Sequence, residues 1–135
     1  MEECELIAAV QDLVLLKARP KFVDEPGTIY NGMRPEGLRR DAEDKLNDLI
    51  AGFILDIPKG LSERAIHSRF SVALSSFPAH DTEDRERMCR YIEQLVDILG
   101  IEKPRGLVMR WLYGPILGTL ILFMTQPQKP PQETV

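Results

Sequence analysis

Apolar positions recur along this chain with the three-to-four-residue rhythm of helices, and no segment shows the two-residue alternation of a half-buried strand. Over residues 2–18, Leu6, Val10, Leu13, Val14 and Lys17 keep that spacing behind Glu2, Glu3 and Glu5, whose charges suit the positive end of a helix dipole. Arg19-Pro20 closes this first helix, because the residue before proline avoids helical dihedrals. Residues 21–34 hold Pro26-Gly27 and Asn31-Gly32 and read as a turn-rich loop. A second helix is predicted from Pro35, a residue suited to a first helical position. Leu38, Ala42, Leu46, Leu49, Ile50 and Phe53 then form an apolar stripe that runs to Leu55. Residues 56–60 with Pro58 break the pattern. A third helix follows over 61–77, with Leu61, Ala65, Ile66, Phe70, Ala73 and Leu74 on one side and Pro78 at its end.

The clearest element lies at 81–100. Asp81 or Thr82 can accept from the free N–H groups of a first turn, and Glu83, Asp84 and Glu86 place negative charge where the dipole favours it. Met88, Tyr91, Ile92, Leu95, Val96 and Leu99 form a broad apolar face, and Gly100 supplies a left-handed stop. A fifth helix is predicted over 104–113, ended by Gly114-Pro115. The short apolar run 116–124 is assigned to helix rather than strand by its leucine and methionine content. The polar, proline-rich end at 126–135 reads as a flexible tail. These elements predict an all-α fold: one compact domain over 1–125, a bundle of about five helices with a sixth C-terminal apolar segment.

Composition narrows the function classes. At 135 residues, with 44% apolar and 28% charged residues, the chain has the make-up of a globular domain. Its net charge of −4 argues against a nucleic-acid partner, which calls for a basic face. From 107 to 124 only Arg110 is charged, but glycine and proline interrupt the run. The part after Pro115 is also shorter than the roughly 20 residues of a bilayer-spanning helix, so no membrane span is expected. Cys4 and Cys89 give no disulfide framework, and the acidic start is unlike a signal peptide; a reducing cytoplasm is the expected compartment.

The chain holds little recognisable reaction chemistry. His67 and His80 have no closely spaced ligand pairs, so no metal or cofactor is expected. Glu93 and Asp97 share a helix face, but acids at that spacing are ordinarily solvated. The serines at 68, 71, 75 and 76 lack a nucleophile elbow, and Gly27, Gly32 and Gly37 are too scattered to cradle a phosphate. What stands out is Arg110, Trp111 and Tyr113, residue types enriched at binding hot spots. The tail adds a P-x-x-P at 127–130 and a C-terminal Glu-Thr-Val, patterns too short to carry a claim.

One stretch has a family likeness. Asp81-Thr82-Glu83-Asp84-Arg85-Glu86, Cys89-Arg90-Tyr91, Leu95-Val96-Asp97-Ile98-Leu99-Gly100 and Trp111-Leu112-Tyr113-Gly114 resemble the bacterial domain-of-unknown-function 4844 family, with Leu46-Asn47-Asp48-Leu49-Ile50 as a weaker match. The resemblance implies a small helical fold and transfers no catalytic residue. Such a domain is expected to finish soon after Gly114, whereas this chain continues.

Three functions remain. The favoured expectation is a non-catalytic protein-binding module, an immunity or antitoxin protein that binds a toxin through Trp111, Tyr113, Arg110, Glu83 and Asp84. The alternatives are an enzyme whose acid–base pair joins Asp48 or Glu93 to His67 across helices, and a homodimer covered by residues 116–124.

Overall fold

The computed structural model describes residues 2–78 and 81–125. His80 and the proline-rich tail at 126–135 lie outside the described residues. The fold is all-α, in the order α1 (Glu3–Ala18), α2 (Glu36–Asp56), a 3-10 turn (Ile57–Lys59), α3 (Glu63–Ser75), α4 (Thr82–Leu99), α5 (Arg105–Tyr113) and α6 (Pro115–Thr125). The described residues contain no strand. The described residues form two compact units that divide between Lys103 and Pro104.

Local chemistry sets most helix ends in the first unit. The Asp81 carboxylate accepts from the Glu83 N–H at 3.0 Å, which fixes the start of α4. Gly100 closes it at φ +66, and the Ile101 N–H returns to the Val96 carbonyl at 3.3 Å. Helix α3 begins later than its apolar spacing predicts, because the Ser62 hydroxyl caps it by accepting from the Ala65 N–H at 3.1 Å. Pro35 precedes α2 in an extended conformation rather than occupying its first turn, and the Arg34–Pro35 peptide is cis.

The core of this unit joins Leu13 of α1, Leu46, Ile50 and Phe53 of α2, Phe70 and Leu74 of α3, and Met88, Ile92, Leu95, Val96 and Leu99 of α4. Phe53 meets Phe70 edge-on at 5.5 Å. Helix α1 packs on α2 and α4, and α2 packs on α3. Val14, which shares the spacing of the core stripe, is instead half exposed.

Residues 19–35 are a loop by backbone and a core element by side chain. Phe22, Tyr30 and Met33 are buried, and Lys21 is buried with them. The segment folds back on itself through Met33 N–H to Phe22 carbonyl at 2.8 Å and Glu25 N–H to Tyr30 carbonyl at 3.3 Å. Gly32 permits that reversal: its φ is +85, and a Cβ there would stand 2.8 Å from the Asp24 nitrogen.

The second unit is a helical hairpin of α5 and α6. Gly114, at φ +89, turns the chain, and Pro115 opens α6 at its first position. The proline that ends one helix therefore starts the next. The helices meet backbone to backbone at Gly118, where a Cβ would collide with the Met109 carbonyl and lie 2.6 Å from the Arg110 Cα.

Candidate functional site

The polar groups of the first unit gather where the 19–35 loop meets α4. Asp84, Arg87 and Tyr91 stand three and four residues apart, so one face of α4 presents all three to the loop. The Tyr30 hydroxyl donates to Asp84 Oδ1 at 2.7 Å. The Arg87 guanidinium lies over the Tyr30 ring, 4.4 Å from its centre, and pairs with Glu25 at 2.7 Å. Tyr91 accepts the Phe22 N–H on its hydroxyl at 3.1 Å and packs edge-on against the Phe22 ring at 5.0 Å. Phe77 covers the same ring at 5.4 Å.

A second set of bonds fastens the start of the loop to α2. Glu43 accepts from the Lys21 N–H at 2.7 Å, and Arg39 bridges the Lys21 carbonyl at 3.0 Å and Glu43 at 3.1 Å. The buried Lys21 ammonium donates to the carbonyls of Lys17 and Arg19 at 2.9 and 2.7 Å. It thereby serves carbonyls at the end of α1 that the helix itself leaves open.

Burial dominates the electrostatics. It raises the Asp84 carboxyl above its ordinary range, although the Tyr30 bond pulls the other way. It raises the Tyr30 phenol too, reinforced by the bond to Asp84 and that group's charge. It lowers the Lys21 amine against the pull of Glu43. The Cys89 thiol is pushed up to about 12 by burial, helped by Glu93 and Glu86. A thiol held that high is not an activated nucleophile.

Tyr30→Phe tests the bond to Asp84. The substitution keeps the ring under Arg87 and removes the donor, leaving a buried carboxylate without it. We expect a loss of about 1–3 kcal/mol in denaturant unfolding. An unchanged midpoint would show that the bond contributes nothing.

The residues nominated from sequence fall into both units. In the first, Glu83 is exposed and Asp84 is only 8% exposed, spent on Tyr30. Both line a recess of about 610 Å³ with Asn31, Gly32, Arg34, Leu38 and Asp81. In the second, Arg110 and Tyr113 are exposed and Trp111 is partly so. Helix α5 has no buried side chain despite Leu107, Val108, Met109, Trp111 and Leu112. On α6, Leu120, Phe123 and Met124 are exposed, Phe123 by 82%. Residue type singles out α5 from the sequence; the exposed side of α6 needs the hairpin to become visible.

The groups considered for acid–base work are spread out. Asp48 lines a groove of about 400 Å³ between α2 and α3 with Lys45, Leu49, Arg69, Val72 and Ser76, and neither His67 nor Glu93 borders it. His67 Nε2 lies 3.2 Å from the Glu102 carbonyl, and Glu93 is exposed on α4. The described residues hold no group of three or more histidine, cysteine or acidic side chains placed for a metal. No described helix is long and apolar enough to cross a membrane.

These features define a small all-α protein whose longest loop is locked onto its fourth helix. The chain belongs to the domain-of-unknown-function family DUF4844, whose model matches residues 5–115. The match takes in the whole loop clasp as well as the 81–114 stretch, and it ends at the first residue of α6. The structure is similar to the crystal structure of a DUF3571 family protein from Acinetobacter baumannii AYE, with a TM-score of 0.76 and 25% identity, covering 88% of this chain and 99% of that one. A comparison with curated proteins gives no match.

Proposed function

We propose that this protein is a small non-catalytic binding module of the immunity or antitoxin kind, which neutralises a toxin by direct contact through its α5–α6 hairpin. The observation that carries the reading is the hairpin's uncovered apolar surface. Phe123 and Met124 are 82% and 74% exposed, with Leu120 and Tyr113 also exposed, and Arg110 stands on the same hairpin. Exposed large apolar side chains gathered on one hairpin suit a contact site, and aromatic and arginine side chains dominate the energetics of such sites. The first unit lends support by what occupies its polar groups. Asp84, Tyr30, Lys21 and Glu43 hold the loop, and Cys89 is kept protonated.

Affinity capture from the native host tests this reading. Wild-type protein is expected to retain a partner in near-equal amount, and Leu120→Glu/Phe123→Glu is expected to lose it. Val72→Glu, which alters an exposed apolar residue on α3 in the same way, is expected to keep it. Equal recovery by the hairpin variant would contradict the assignment. A captured protein that does not poison cells when expressed alone would remove the immunity element.

A further inference from the structure

Helix α1 carries two apolar seams. Ala9, Leu13 and Leu16 are buried and, with Leu6, follow a 3-4-3 spacing against the rest of the first unit. On the opposite side Cys4, Ile7, Gln11, Val14 and Ala18 follow a 3-4-3-4 spacing, flanked by Leu15, and all six are exposed. Such a repeat is the pattern by which one helix packs along another. A helix apolar on both sides is ordinarily covered on both. Leu55 of α2, 65% exposed, extends this face across a recess of about 500 Å³ lined by Val14, Lys17, Ala18, Ala51, Ile54 and Leu55.

The charges of α1 identify the occupant. Its first turn carries Glu3 and Glu5 after Glu2, and its last turn carries Lys17 before Arg19. We infer that the outer face of α1 is a self-association surface, on which a second copy of this chain packs its own α1 antiparallel about a two-fold axis near Gln11. In that arrangement Ile7 faces Val14 of the second copy, and the acidic end of each helix lies beside the basic end of the other. A parallel pairing would set acid against acid and base against base. A two-fold contact of this sort is self-complementary, as one surface patch must be to close a dimer. The inference concerns the first unit and stands apart from the hairpin reading.

Cysteine chemistry separates the arrangements. Antiparallel packing leaves the two Cys4 residues roughly 20 Å apart along the helices, far beyond disulfide reach, whereas parallel packing brings them together. Light scattering on the full chain is expected to give twice the chain mass, and Val14→Glu/Leu15→Glu is expected to give the single mass with unchanged helicity. Gln11→Cys in a Cys4→Ser background is expected to form a disulfide-linked dimer under mild oxidation, while the wild type forms none through Cys4. If the charge variant loses helicity, the Gln11→Cys link alone decides the matter. A monomeric wild type at millimolar concentration, a dimer unaffected by Val14→Glu/Leu15→Glu, or a Cys4–Cys4 link would each overturn the inference.

Discussion

Phe22→Ala is expected to cost about 3–5 kcal/mol, among the largest losses available from one side chain in this protein. The ring is fully buried and stands between Phe77 and Tyr91 at 5.4 and 5.0 Å. Its backbone is held as firmly as its side chain, through its N–H to Tyr91 and its carbonyl to Met33. The residue adopts φ +58, a conformation that favours glycine. Tertiary contacts must therefore hold it there, and removing the ring removes those with Phe77 and the Tyr91 ring. We expect the denaturant midpoint to fall sharply and amide exchange of Met33 and Tyr30 to accelerate with it. A loss below about 1 kcal/mol would show that the loop is an ornament on the bundle rather than part of its core.

Alkaline conditions are expected to destabilise the protein steeply, by a mechanism distinct from charge repulsion. Burial raises the Cys89 thiol from its ordinary 9.0 to about 12, and it raises the phenols of Tyr30 and Tyr91 above their ordinary 10.0. Above pH 9 the unfolded chain releases protons that the folded chain keeps, so the unfolded state binds fewer. Stability then falls with rising pH, by about 1.4 kcal/mol per pH unit for each retained proton. Cys89 alone contributes on the order of 4 kcal/mol between pH 9 and 12, and the tyrosines add to the slope above 10. Urea titrations across this range should show the decline, and Cys89→Ala should have a shallower slope despite its lower starting stability. A flat profile from pH 9 to 12 would contradict the buried, protonated state of all three groups. On the acid side the signs are mixed. Asp56 and Glu36 are lowered by hydrogen bonds from Arg69 and Arg39, so their support is lost as pH falls below the ordinary carboxyl range. Asp84, raised by burial, regains its proton early and is relieved of a buried charge.

The parts of this fold legible in the sequence are those decided within a few residues. The limits of α4 follow from Asp81 and Gly100, a cap and a left-handed stop whose effects reach one turn. The loop clasp is different, because Tyr30 and Asp84 are 54 positions apart and Phe22 and Tyr91 are 69. No local pattern distinguishes an aromatic in a turn-rich loop that faces solvent from one that fills a core. The neighbouring glycines and proline argued only for the path of the backbone. Lys21 was hidden for a related reason: its charge suggests exposure, and only the free carbonyls at the end of α1 explain its burial. Helix α1 shows the opposite error. Both seams are written in its spacing, but a search for one core stripe merges Val14 of the outer seam with Leu13 of the inner. Trp111 and Tyr113 were found by residue type alone. Phe123 and Met124 became candidates only once α6 was seen to leave them uncovered.

The central claim is that the hairpin surface around Phe123 is a contact site. Its most direct test is thiol labelling of Met124→Cys, beside Phe123 and itself 74% exposed, in a Cys4→Ser background, where Cys89 is buried and protonated. In buffer the new thiol is expected to react at the rate of an exposed cysteine. In extract of the native host concentrated until free partner stands at about ten times its Kd, the rate is expected to fall about tenfold, because protection scales as one plus the ratio of partner to Kd. The same rate in buffer and in extract would contradict the account.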